Sequence, residues 1–175
     1  MDIAAHLSAK LKALRQARGW SLSLAAEKTG VSKAMLGQIE RNESSPTVAT
    51  LWKIATGLNV PFSVFIESGE LPERPVFDPQ NSDMVVVPLF PYDEHLRFDL
   101  FSITLAPGAL SESSPHDTGV IEHVTVISGE LEMQIKGTWQ TLRAGEGLRF
   151  AGDEAHSYRN SGDARVHFHS LIHYP

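Results

Sequence analysis

The sequence predicts two domains of different class, an all-α N-terminal domain followed by an all-β C-terminal one. Apolar residues recur at helical spacing through the first third and then give way to short β-type runs. A stretch rich in Pro, Ser, Gly and charge separates the two patterns. Charge divides at the same place. Residues 1–66 carry eight basic and four acidic side chains, net +4, while the remainder of the 175-residue chain carries seven basic and seventeen acidic, net −10. The overall acidity therefore hides a cationic module at the N-terminus.

In the helical part, Leu7, Leu11 and Leu14 define a first helix from about residue 3 to Arg18, stopped by Gly19. Ser21 is placed to cap a second helix that ends at Gly30, and Ser32 a third that runs through Ile39 to near Asn42. Thr47 caps a fourth carrying Leu51, Ile54, Ala55 and Leu58, and Pro61 opens a fifth, short helix ending near Glu67. Five helices are expected, with residues 1–67 as one domain and 68–82 as a linker.

Residues 83–175 then read as strands: MVVVPLF, LRFDLFSITL, EHVTVIS, ELEMQIK, TWQTL, EGLRFA, HSYRN and VHFHSLIH. Their close spacing between Gly, Pro, Asn and Asp predicts a sandwich or barrel. GEL and KGTWQ are expected as tight hairpin turns. The chain has no cysteine, which excludes disulfides and thiolate metal sites and fits a reducing cytoplasm. No apolar run approaches the roughly 18 residues of a membrane span, and the N-terminus lacks a signal-peptide layout. A cytoplasmic protein is expected.

Two helices held at a fixed angle by Leu24, Ala25, Val31, Leu36 and Ile39, with Gly30 as the turn, would present the outer face of the third helix. That face carries Ser32, Lys33, Ala34, Met35 and Gln38. Lys33 has the reach for guanine O6/N7, Gln38 can bond adenine bidentately, and Ala34 or Met35 can touch a thymine methyl. Arg41, Asn42, Ser44, Ser45 and Thr47 would meet phosphates at the helix end, the following loop and the next helix start. Trp20 and Trp52 are read as packing residues. The run from Ser21 to Pro61 resembles the helix-turn-helix of the phage-repressor (XRE) family across residues 6–66. The resemblance implies that Ser32, Lys33, Ala34 and Gln38 face bases.

In the second part, His116, Glu122, Gly129, Gly145, His156 and Asn160 keep the spacing of the two motifs of the cupin family, which this region resembles. The departures are Thr118, where the family has a second His, and Ala151 and Asp153, where it has Pro and Gly. The resemblance implies a jelly-roll-like barrel whose His116, Glu122 and His156 meet in a central cup. Two imidazoles and a carboxylate suit a divalent ion such as zinc; a metal-free pocket that takes only a small-molecule effector is the alternative. Tyr158 shares a face with His156 and is expected to line the pocket with Thr118. His167 and His169 alternate on one strand, so both point into the cup or both away from it.

The leading expectation is a DNA-binding regulator, not an enzyme, acting on a double-stranded operator as a homodimer and responding to a small molecule in the cup. The stretches KAMLGQIERNESSPTVATLWKIATGLNVPF, GVIEHV and VHFHSLIHYP, spread over the whole chain, also resemble bacterial regulators of sulfur-utilisation genes, and the resemblance implies a sulfur-containing amino acid or metabolite as effector. Two other readings stay open at this level. One is a metal-dependent cupin dioxygenase or isomerase with an appended helical domain; the other is a helical adaptor that binds protein.

Overall fold

Residues 3–66 and 83–175 are described by the computed structural model, and they form two compact units of different class. The expected linker, 68–82, lies outside the described residues. No helix among the described residues is long and apolar enough to cross a membrane.

Among the described residues the N-terminal unit holds four α-helices: α1 (Ile3–Ala17), α2 (Leu22–Thr29), α3 (Lys33–Glu40) and α4 (Val48–Gly57). Three of the starts are set by side-chain caps. Ser21 accepts from the Leu24 amide, Ser32 from Met35 and Thr47 from Thr50, each satisfying a backbone donor that the first turn leaves orphaned. Gly30 ends α2 in the left-handed region at φ 66°, where an L side chain would be strained. Leu7, Leu11, Leu36, Ile39, Leu51 and Ile54 form the core of this unit, each at most 2% exposed. Of the residues expected to clamp α2 to α3, Ala25, Val31, Leu36 and Ile39 are buried, and Leu24 is half-buried.

The expected fifth helix is corrected. The residues after Pro61 form a single 3-10 turn, Phe62–Phe65, with no side-chain cap at its start. Three residues per turn place Phe62 and Phe65 on one side, and both are buried, so the tighter winding suits the core better than an α-turn would. Trp52 packs on Phe62 with ring centroids 4.2 Å apart, a packing role as expected.

The C-terminal unit is two antiparallel sheets. Its strands are β1 (Met84–Phe90), β2 (Phe98–Leu105), β3 (Leu110–Ser113), β4 (Ile121–Ser128), β5 (Glu130–Ile135), β6 (Thr138–Arg143), β7 (Gly147–Ala151), β8 (His156–Arg159) and β9 (Val166–His173). One sheet runs β1-β2-β9-β4-β7 and the other β3-β8-β5-β6. Along β2, β4 and β9 burial alternates residue by residue, so one face of the first sheet packs inward. Phe101, Ile103, Val124, Phe168 and Ile172 supply the inner layer of this sheet, facing Leu131 and Met133 from the other.

Two strand-level expectations change. Strand β3, LSES, was not anticipated, because one Leu among polar residues carries no strand signal of its own; β8 recruits it by pairing Leu110 with Arg159 through Ser113 with His156. GEL is not a hairpin, since β4 pairs with β7 and β9 while β5 pairs with β6 and β8. Gly129 instead turns the chain from one sheet to the other. KGTWQ is a hairpin: Ile135 pairs with Thr138, and Lys136 and Gly137 both have positive φ, as a two-residue type I′ loop requires.

Candidate nucleic-acid interface and metal-binding cup

The reading helix is built from its buried side outward. Leu36, Gly37 and Ile39 face the core, which turns Lys33, Ala34, Met35 and Gln38 to solvent. Ser32, Arg41, Asn42, Ser45 and Thr47 are also exposed, and Ser44 is half-buried. Leu22, Lys33, Ala34, Gly37, Gln38 and Arg41 line one open groove of about 510 Å3 between α2 and α3. Met35, which an apolar residue's usual behaviour would put in the core, stands 36% exposed. Asn42 closes α3 with φ 56°, its amide donating to the Ile39 carbonyl, so the chain reverses into the loop that carries Ser44 and Ser45.

Two ion pairs on this unit escaped the sequence reading. Arg15 on α1 grips Glu40 at the end of α3 through two bonds, Nε–Oε1 at 2.6 Å and Nη2–Oε2 at 2.8 Å, and donates a third to the Trp20 carbonyl at 2.7 Å. The bond to Glu40 raises the Arg15 pKa further. Arg41, expected at phosphates, is held by Glu43 through bonds of 2.8 and 2.7 Å. The Arg15–Glu40 pair spans 25 positions, and nothing local in the sequence marks it; Arg41 and Glu43 stand two apart and were open to that reading.

The second cluster assembles from both sheets. Glu122 lies on the inner face of β4, His156 and Tyr158 on β8, and His116 on the loop that precedes β4, its amide donating to the Gly152 carbonyl. Glu122 Oε1 is 3.2 Å from His116 Nε2 and 3.3 Å from His156 Nε2, and Tyr158 donates to Oε2 at 2.9 Å. Glu122 and His156 are 1% and 2% exposed. The three ligand-type atoms all lie within 4.8 Å of one another. Atoms this close would let one divalent ion reach all three donors at once.

The hydrogen bonding supports the same chemistry. Glu122 Oε1 and His156 Nε2 are buried and face each other without hydrogen-bond geometry. His156 Nδ1 lies 2.8 Å from the Glu154 carbonyl, and an N–H there leaves Nε2 its lone pair. Burial alone would raise the Glu122 pKa. The bond from His116, the nearby charge of both imidazoles and the Tyr158 hydroxyl outweigh it, and the carboxyl titrates below its ordinary value. Tyr158 is pushed well above 10 by burial and by the Glu122 charge, so it remains a donor. The donor set, one carboxylate oxygen and two imidazole nitrogens, fits a divalent cation, which would take the place of the imidazole protons that face Glu122.

Tyr158 thus stands at the cup, as its shared face with His156 predicts, but His167 and His169 do not. Thr118 is exposed on the loop before β4, two residues after His116. His167 and His169 alternate with the buried Val166, Phe168 and Ser170, and period two turns both to the opposite face of the sheet. There His167 Nε2 meets the Ser102 hydroxyl at 2.7 Å. The sequence reading missed Phe150, whose ring packs edge-on against His156 at 5.1 Å, and Gly152, where a Cβ would sit 2.9 Å from Glu122 Oε1. A glycine one position before Asp153 was the available signal.

Comparison with known proteins places both units. The helix-turn-helix family model matches residues 11–65, and the cupin domain model matches residues 101–172. The chain is 66% identical over 174 residues to the HTH-type transcriptional regulator SutR of Escherichia coli K12, covering 99% of this chain and 98% of that one. The chain belongs to the helix-turn-helix transcriptional regulators. A crystal structure of an HTH_3 family transcriptional regulator from Vibrio cholerae matches all of this regulator and 99% of that chain, at 40% identity and a TM-score of 0.85. The cupin domain of an XRE family transcriptional regulator from Enterobacter cloacae is 70% identical, covering 54% of this regulator and 99% of that chain, with a TM-score of 0.53. These relatives favour a regulatory role over the enzyme and adaptor readings.

Proposed function

We propose that this regulator reads a double-stranded operator with α3 and senses a small molecule in its cupin cup. The observation that carries the reading is the exposed face of α3, with Lys33 and Gln38 on one groove beside Arg41, above a fully buried inner face. In this assignment Ser32, Lys33, Ala34, Met35 and Gln38 address base edges. Arg41, Asn42, Ser44, Ser45 and Thr47 address phosphates. Because one helix-turn-helix reads a half-site, the working form is a homodimer, its two reading helices about 34 Å apart. Residues 1–67 act as the DNA-binding module, 68–82 as linker and 83–175 as the sensor, in the cytoplasm.

His116, Glu122 and His156 hold zinc or a similar divalent ion in the cup, and Tyr158 orients the carboxylate. Three protein ligands leave a fourth position for water or for a donor atom of the effector. The whole-chain resemblance to a regulator of sulfur-utilisation genes supports a sulfur-containing amino acid or metabolite as that effector. Its differential affinity for two arrangements of the dimer would shift the DNA-competent population.

Selection of bound fragments from random DNA by the full chain tests the reading. A defined half-site is expected, and Gln38→Ala should relax preference at one base position by about 1–3 kcal/mol. Recovery of no preferred sequence at moderate salt, or an unaltered preference in Gln38→Ala, refutes the assignment.

A further inference from the structure

The outer face of the five-stranded sheet departs from what such a face normally shows to water. An antiparallel sheet with one buried face usually presents polar residues on the other. Register places Phe98, Ile121, Leu100, Leu171 and Phe90 together instead: Phe98 pairs with His173 and His173 with Ile121, while Leu171 pairs with Leu100 and Leu100 with Phe90. Directly paired residues share a face. Phe90 is 60% exposed and Ile121 38%. Val85 and Val87 extend the apolar strip on the edge strand β1, opposite Thr104 and Ser102.

The same face carries no carboxylate. Asp99 and Glu122, the acidic residues within β2 and β4, both point inward and are buried. Strand β9 has no acidic residue, and the outward cation is Arg149, paired with His123. This occurs in a segment whose net charge is −10. Two copies of so acidic a unit repel each other wherever their carboxylates meet, and a carboxylate-free face, apolar towards Phe90, Phe98 and Ile121 and carrying Ser102, Thr104, Thr125, His167 and His169 towards its other end, is where they can approach without that cost. Five strands about 4.8 Å apart, each seven or so residues long at about 3.3 Å per residue, give a projected face of roughly 500 Å2. Side-chain relief adds to that, towards the roughly 800 Å2 per partner of a stable interface.

We infer that the outer face of the β1-β2-β9-β4-β7 sheet is the surface on which a second copy of this chain docks, sheet against sheet. The inference rests on the dimeric reading above and supplies its interface. Leu171 lies on the central strand β9 within the apolar end of the face, so a two-fold axis passing through that end brings its two copies together.

The chain has no cysteine, which makes a direct test available. Full-length Leu171→Cys is expected to form a disulfide-linked dimer under mild oxidation. Leu110→Cys, on the other sheet and 54% exposed, should remain uncrosslinked at the same concentration. In sedimentation, the unaltered chain should run near twice its 19.2 kDa mass, and Leu171→Glu, with its thermal transition retained, near the monomer. Equal crosslinking at both positions, a monomeric unaltered chain, or a folded Leu171→Glu that stays dimeric overturns the inference. Crosslinking at Leu171→Cys in a protein that selects no DNA sequence would uphold the interface and refute only the DNA reading. Protection of Leu171→Cys without crosslinking would assign the face to the chain's own 68–82 segment or to the N-terminal unit, and would also overturn it.

Discussion

Replacing Glu40 by Ala tests how the reading helix is held. The Arg15 and Glu40 side chains are only 13% and 7% exposed, and their paired bonds of 2.6 and 2.8 Å tie the end of α3 to α1. Removing the carboxylate leaves a guanidinium buried with one remaining bond, to the Trp20 carbonyl. Breaking a fully buried pair costs about 3–5 kcal/mol; the residual exposure of Arg15 lowers the expectation here to about 2–3 kcal/mol. Urea unfolding of the full chain followed by tryptophan fluorescence measures it, with Trp139 on β6 replaced by Phe in every variant so that Trp20 and Trp52 of the N-terminal unit alone report. The double variant Arg15→Met/Glu40→Leu should recover most of the loss, since neither charge is then stranded. A cycle through both single variants isolates the coupling. A Glu40→Ala midpoint within about 0.5 kcal/mol of the unaltered protein, the range of ordinary surface changes, refutes the idea that this pair sets the helix.

Two further outcomes concern the sensor unit. Zinc at roughly 100 times its dissociation constant should add about 2.7 kcal/mol to stability, or on the order of 10 °C in Tm for a domain of this size. His156→Ala should abolish that shift, and acidification should release the ion as protons compete for the imidazoles; a shift that survives His156→Ala removes the cup as its source. On the outer sheet face, burial and then His169 hold His167 below the usual imidazole value. The unfolded chain binds that proton more readily, so stability is complete above about pH 6.5 and declines as pH falls towards the folded value. His167→Gln should flatten this decline in urea midpoints below about pH 6.5, and an unchanged slope assigns it to other groups.

The helical unit was legible because its signals are local. Ser21, Ser32 and Thr47 each sit immediately before an apolar run, and each caps the helix it announces. The outward face of α3 followed from the same periodicity. The short element after Pro61 was misjudged in winding, since Phe62 and Phe65 are compatible with either helix until the core decides. In the β unit, long alternating strands such as β9 were read to the residue, whereas LSES became a strand only through its partner β8. His116, Glu122 and His156 were found by motif spacing, and the structure brings them together. His167 and His169 were drawn towards the cup by residue type, and the parity of their positions on β9 decides against it; Thr118 was drawn there by its place in the motif and stands exposed on a loop.

Gly152 shows what spacing cannot supply. A methyl group there would stand 2.9 Å from Glu122 Oε1 and 3.1 Å from Val120 Cγ1. Both atoms belong to buried side chains, so neither can swing into solvent. Gly152 also accepts the His116 amide and donates its own to the Val120 carbonyl, which pins the loop backbone in place. Gly152→Ala therefore leaves all three ligand-type side chains in the sequence while pushing the carboxylate off its position between the two imidazoles. Overpacking of this kind costs about 1–3 kcal/mol, and loss of ligand orientation about 10–100-fold in metal affinity. Isothermal titration with zinc, beside a thermal melt of the metal-free protein, separates the two effects. If Gly152→Ala binds zinc as tightly as the unaltered chain, the ion does not depend on Glu122 at its observed position, and the three-ligand assignment is wrong.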